Sequence, residues 1–184
     1  MPLVLARPEL LPIHLSPASY LSLGVELAAW ATATPISSTW PLADLVLYIP
    51  FVIPSPCLVV YMWTHNGATA AGNTDIGIYD TNSSGLPGAK LASIGVTAQS
   101  GTNAIQTFNI TDVALMPGRY WLALKNTLST STFFRFATSV AINKGFGILE
   151  ETTGAGAALP ATATPVTTTR TIIPVCGLSL KTTI

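Results

Sequence analysis

Apolar runs rich in β-branched and aromatic residues recur about every 10 to 15 positions from Leu42 onward, each closed by Gly, Pro, Asn or Ser. This punctuation constrains the fold more than any other feature of the chain, because no segment between the breaks carries a convincing helical period. The runs that read as strands are Leu42 to Phe51, Cys57 to Trp63, Thr74 to Tyr79, Ala89 to Ala98, Ala104 to Ile110, Arg119 to Lys125, Thr132 to Thr138 and Thr171 to Leu180. Ahead of them, Leu21, Leu23, Val25, Leu27 and Ala29 alternate with Ser22, Gly24, Glu26 and Ala28, the period of a half-buried strand. The stretch between, TATPISSTWP, reads as a loop. The pattern predicts an all-β fold, an antiparallel β-sandwich.

Two Pro-Gly pairs, Pro87-Gly88 and Pro117-Gly118, each precede a strand and suit tight turns, with proline presetting the first corner and glycine tolerating positive φ at the second. After the second pair, Tyr120, Leu122 and Leu124 face one way and are core candidates. Arg119, Trp121, Ala123 and Lys125 face the other.

Prolines at positions 2, 8, 12 and 17 forbid a helix over residues 1–19 and favour an extended arm that presents Leu3, Leu5, Leu10, Leu11, Ile13 and Leu15. Such an arm needs a surface to lie on, and those six side chains are the expected subunit-interface residues. Residues 20–184 then make a single sandwich domain, with a small, polar stretch at about 150–170 that reads as a long loop or an excursion onto a neighbour.

Only 9% of residues are charged, against about a quarter in typical proteins, and the formal net charge is zero. A free monomer with so few charges is poorly protected from self-association, which points to an exterior covered by other subunits. The eight basic residues are dispersed and form no stripe that could follow a phosphate backbone, so nucleic acid is not the expected partner. The stretch from Leu42 to Trp63 has the length of a membrane span but carries Asp44 and prolines 50, 54 and 56, and reads as two strands and a turn, so no membrane partner is expected. No signal peptide is evident, and the chain is expected to fold in a cytoplasm, where a reducing milieu and the burial habit of cysteine favour free thiols at Cys57 and Cys176 over a disulfide between them.

No arrangement for chemistry stands out. His14 lies in the arm, and His65 follows a strand and precedes a turn; neither is marked as a base beside a nucleophile. No pair among the eight carboxylates is singled out for glycoside hydrolysis, and no spacing builds a metal site. The segment from Asp75 to Gly95, DIGIYDTNSSGLPGAKLASIG, could be a metal loop, a sugar site or a hairpin. Ile76 and Ile78 alternate as inward residues, and Asx and Ser side chains cap turns through their own backbone, so the hairpin reading is preferred. The chain is expected to be no enzyme and to need no cofactor.

Three stretches, LYIPFVIPSPCLVVYMWTHNG, DIGIYDTNSSGLPGAKLASIG and VALMPGRYWLALKNT, together resemble a β-sandwich module of bacteriophage virion proteins. The resemblance is carried by Pro50-Phe51, by Gly77, Ile78 and Tyr79 leading into a Pro-Gly loop, and by Leu115, Pro117, Gly118, Tyr120, Trp121, Leu122 and Ala123, and it covers about residues 40 to 136. It implies a jelly-roll-like sandwich used as a building block of capsid decorations, tail fibres or tail-associated proteins, with no catalytic residues. The expectation is therefore a noncatalytic virion structural protein, assembled in the host cytoplasm. A capsid decoration or cement protein is favoured, binding major capsid or tail proteins and forming a homo-oligomer, with a trimer preferred. The alternative is a receptor-binding or carbohydrate-binding module of a tail or fibre, displaying Trp63, His65, Asn66, Asp80 and Asn82 on exposed loops.

Overall fold

The computed structural model describes residues 34–181. The arm expected over residues 1–19, with Leu3, Leu5, Leu10, Leu11, Ile13 and Leu15, and the strand expected over residues 21–29 lie outside the described residues. In chain order the first strands are β1 (Ile36–Thr39), β2 (Leu45–Ile53), β3 (Cys57–His65), β4 (Asn73–Thr81), β5 (Pro87–Ser93), β6 (Thr97–Ala98) and β7 (Ile105–Leu115). Then come β8 (Gly118–Asn126), β9 (Thr132–Ala137), one short helix α1 (Val140–Gly145), β10 (Leu149–Thr152), β11 (Val166–Thr167), β12 (Ile172–Pro174) and β13 (Cys176–Lys181).

The fold is all-β and every strand pairing is antiparallel. A seven-stranded sheet runs in the order β11-β10-β2-β8-β4-β5, with β6 also on β4. Facing it are two three-stranded sheets, β13-β3-β7 and β1-β9-β12. Val175 stitches these two together, accepting from His65 N–H at 2.9 Å and donating to the Phe134 carbonyl at 2.9 Å, while Asn66 bridges to Phe133.

One core lies between the layers. From the large sheet it takes Leu45, Leu47, Ile49, Phe51 and Ile53 of β2, Ile76 and Ile78 of β4, and Leu122 and Leu124 of β8. The facing sheets contribute Val59 and Met62 of β3, Phe108 and Leu115 of β7, Phe133 of β9, and Leu178 and Leu180 of β13. Every second residue of β2 thus points inward, the alternation that a pleated strand imposes. Tyr120 packs against this core only partly buried, beside Phe51.

Two of the residues of β2 that point outward, Val46 and Tyr48, are equally buried, and this is why the first half of β2 is an unbroken buried run. They join Tyr79, Trp121 and Ala123 in a second cluster roofed by Leu159 and Ala163. The stretch expected at about 150–170 as a loop or an excursion onto a neighbour therefore folds back on its own sheet. Its ends form β10 and β11, and residues 153–165 cross the outer face. The Leu159 N–H donates to Asp75 Oδ2 at 2.8 Å, Lys90 Nζ to the Leu159 carbonyl at 2.8 Å and the Tyr79 hydroxyl to the Pro160 carbonyl at 2.6 Å. Backbone bonds from Lys90 to Ala161 and from Ala163 to Gly88 extend the attachment.

Several boundaries differ from the sequence reading. The run Ala89 to Ala98 divides into β5 and β6 because Gly95, at φ 70, turns the chain between them. Thr171 to Leu180 divides at Val175, whose backbone serves the two neighbouring sheets. Strand β1, in the stretch read as a loop, forms because β9 offers it a partner, Ile36 to Thr39 lying opposite Arg135 to Thr132. Helix α1 was not expected. It is one and a half turns long, started by Ser139, whose hydroxyl accepts from the Ile142 N–H, and anchored by buried Asn143, whose amide donates to the Arg170 and Ile172 carbonyls.

Cys57 and Cys176 are both buried and free. Cys176 sits opposite Thr64, seven residues along β3 from Cys57, a span of about 23 Å at the rise of a strand and far beyond disulfide reach. Leu42 to Trp63 forms β2, the Pro54 to Pro56 connection and most of β3, and among the described residues no helix is long and apolar enough to cross a membrane.

Candidate functional site

Of the five residues expected on a ligand loop, three sit at one end of β4 and two at the other. Trp63, His65 and Asn66 precede β4, whereas Asp80 and Asn82 close its far end, about 23 Å away by strand rise. The structure does not bring them together. Trp63 is 3% exposed, lies across Gly177 so closely that a methyl group there would collide with its ring, and packs with Phe136 and Val175. The His65 ring stacks on Phe134 at 4.1 Å, and burial lowers its pKa, favouring the neutral imidazole.

Asn66 is fully buried in a lattice of amides and hydroxyls. Its Nδ2 donates to the Ser100 carbonyl and to Gln106 Oε1, and its Oδ1 accepts from Thr64 and from Gln99 Nε2. Gln99 in turn bonds Ser131, Thr132 and Asn126. This lattice ties together the loops after β3, β6 and β8, and each amide in it has partners, as burial of polar groups requires.

Asp80 and Asn82 cap the β4–β5 turn. Asp80 Oδ1 accepts from the Ala89 N–H at 2.6 Å, and Asn82 Oδ1 accepts from the Ser84 and Leu86 N–H groups. The stretch from Asp75 onward is thus a hairpin. The positive φ of its turn falls on Gly85, at 78°, not on Gly88; Gly88 lies inside β5 and is needed because a Cβ there would stand 2.4 Å from Asp80 Oδ1.

A more concave site lies where the sandwich opens between β9 and the segment leading into β12. Thr39, Pro41 and Arg135 form one wall and Thr169 to Ile172 the other, around a cavity of about 270 Å³. On β9, Arg135 shares the inward parity of Phe133, while Phe134 and Phe136 pack on the outer face. Its Nη2 donates to Ser38 Oγ at 2.7 Å, but its Nε is buried without a partner, and desolvation lowers the guanidinium pKa. Among the described residues no carboxylate pairs with it. Arg170, by contrast, is neutralised: its Nε meets Glu150 Oε2 at 2.9 Å, and Thr168 and Thr169 hydroxyls complete the carboxylate's bonds.

Counting the described residues, the cavity therefore carries one uncompensated positive charge, and what such a site can do chemically is hold an anion. Arg135 and Arg170 were not singled out from the sequence, where only the dispersal of the basic residues was noted. One signal was present: in TFFRFA an arginine stands at the same strand parity as a core phenylalanine. Among the described residues no group of three His, Cys, Asp or Glu side chains is placed to hold a metal ion.

The chain is an antiparallel β-sandwich with a basic cleft at the rim of its core. Comparison with protein-family models, with curated proteins and with solved structures gave no match.

Proposed function

We propose that this chain is a noncatalytic structural subunit of a bacteriophage virion, a jelly-roll-like capsid decoration or cement protein that binds its own copies and neighbouring capsid or tail proteins. The observation that carries the assembly reading is the character of the surface. Among the described residues twelve large apolar side chains are exposed, including Val166 at 63%, Met116 at 60% and Val52 at 59%. Of the thirteen charged residues described, only Asp112, Arg119, Lys144 and Lys181 are exposed; the others are drawn into internal bonds or partly covered. Such a surface is stable in solution when other protein covers it. The virion reading rests on the resemblance carried by residues 40 to 136, and the decoration role on the proline and leucine pattern of residues 1–19, from which the sequence predicts an arm that buries its leucines on a neighbour.

Sedimentation velocity of the full chain over a dilution series tests the assembly reading: a trimer or other closed oligomer persisting at low micromolar concentration is expected. A monomer at every concentration, soluble and monodisperse, would remove its support. Localising the chain by immunogold labelling of purified virions tests the address, and absence from head and tail alike would end the virion reading.

A further inference from the structure

We propose that the cleft between Arg135 and Arg170 is a binding site for a single carboxylate group. The inference is independent of the assembly reading. It rests on a guanidinium held at the rim of the core with its Nε buried and unpartnered, and on the absence of a countercharge to it among the described residues. A cation drawn partly out of water without a countercharge is costly, and an anion bound beside it in the cleft offsets that cost. The fixed fork of an arginine matches the two oxygens of a carboxylate.

Charge selects among anions. Glu150 already balances Arg170, leaving the cleft one positive charge among the described residues, which a monoanionic carboxylate neutralises and a doubly charged phosphate would overshoot. Size selects too. At about 270 Å³ the cavity falls just below the range usual for drug-sized ligands, room for one small acid or one acidic side chain. Thr39 and Thr171, on opposite walls, add hydroxyls able to bond the ligand's remaining polar atoms. The carboxylate can belong to a free acid, such as a sugar acid, or to a glutamate of an adjoining polypeptide; the chemistry at Arg135 is the same.

The test is a titration of the ¹⁵N-labelled full chain, followed by amide shifts, at constant ionic strength. The probes are sodium glucuronate, N-acetylglutamate amide and, as a neutral control, glucose. Saturable shifts confined to the amides around Thr39, Arg135 and Thr169 to Ile172 are expected for the two acids and absent for glucose. Arg135→Gln should weaken binding at least about tenfold, the loss of a charged hydrogen-bonding partner. Arg135→Lys, which keeps the charge and loses the fork, should retain weaker binding. Tighter binding of glucuronate assigns the site to a free sugar acid, and tighter binding of the glutamate derivative to a polypeptide side chain; either supports the site. Should Arg135→Gln fail to fold, Thr171→Val serves in its place, with a loss of a few-fold expected. Equal shifts with glucose, affinity unchanged in every variant, or no saturation by either acid at these amides would overturn the proposal.

Discussion

Lys125 is 1% exposed, yet it carries a charge in the outer half of the large sheet. It survives there because its Nζ lies 3.1 Å from Asp44 Oδ1 and donates to Thr153 Oγ1 at 2.6 Å and to the Ala157 carbonyl at 2.5 Å. Asp44, at φ 60, also accepts from the Gly156 N–H, so one ion pair fixes both the start of β2 and the turn over it. Lys125→Met would leave Asp44 without its countercharge and should cost about 3 to 5 kcal/mol in denaturant unfolding, with Asp44→Asn added on top recovering part of the loss. Asp75 presents the opposite case. Burial raises its carboxyl pKa, more than the Leu159 N–H, the Lys90 charge, and the nearby Ser93 hydroxyl and Gly95 N–H lower it. A carboxyl that holds its proton more tightly when folded favours folding while protonated and costs stability as pH rises through its unfolded and then its folded pKa. Asp75→Asn, which keeps an oxygen for the Leu159 N–H, should therefore raise Tm at neutral pH, with the gain shrinking on acidification. A gain independent of pH in a thermal-shift series would contradict this assignment. The inward set Leu122 and Leu124 was legible from alternation alone. The burial of Trp121, Ala123 and Lys125 was not, because it depends on a segment some thirty residues further along the chain.

That segment is the element on which the sequence reading and the structure differ most. Residues 153–165 are mostly Ala, Gly, Thr and Pro, small residues with the composition of a loop, and only Leu159 is both large and apolar among them. What holds the segment down is a set of hydrogen bonds from Asp75, Tyr79, Lys90 and Lys125, contributed by strands far away in sequence, and no local pattern announces such bonds. Leu159 is 2% exposed over Tyr79 and Trp121. Leu159→Ala should destabilise the fold by about 2 to 5 kcal/mol, and amide exchange should quicken first across residues 153–165 and the outer face of β4 and β8. Uniform quickening over the whole molecule would show that the segment does not open on its own. Strand β1 and helix α1 were illegible for a related reason. ISST has no apolar period and VAINKG is too short to show one, so each is defined by its partner: β1 by β9, and α1 by the Ser139 cap and the bonds of Asn143. By contrast β2, β3, β4, β8 and β9 are apolar runs of strand length closed by turn residues, and their positions could be read to within a few residues.

At the scale of the whole molecule, most of the charges described are drawn into bonds that organise the fold, and the exterior is left poor in charge. Met116 and Val52 are the two most exposed large side chains at one end of the sandwich. Val52 lies opposite Arg119 at the start of β8, which follows directly on Met116 and Pro117, and Leu86 lies in the β4–β5 turn that follows Thr81, whose hydroxyl donates to the Arg119 carbonyl. Leu42 and Leu128 are exposed at the opposite end, where β2 begins and β8 has ended. A contact between copies through the first end would be broken by like charges placed in it. The double variant Val52→Glu, Met116→Glu should therefore sediment as a monomer while unfolding within about 0.5 kcal/mol of the parent per substitution, the usual range for exposed positions. If the oligomer instead dissociates only in Leu128→Glu, the contact lies at the other end. If both variants and the parent sediment alike as monomers, apolar exposure is a property of the isolated chain and self-assembly is not what it serves. Because the side chains of Val52, Met116 and Leu128 belong neither to the core nor to the lining of the Arg135 cleft, carboxylate binding measured in these same variants should stay unchanged, which separates the behaviour of the surface from that of the site.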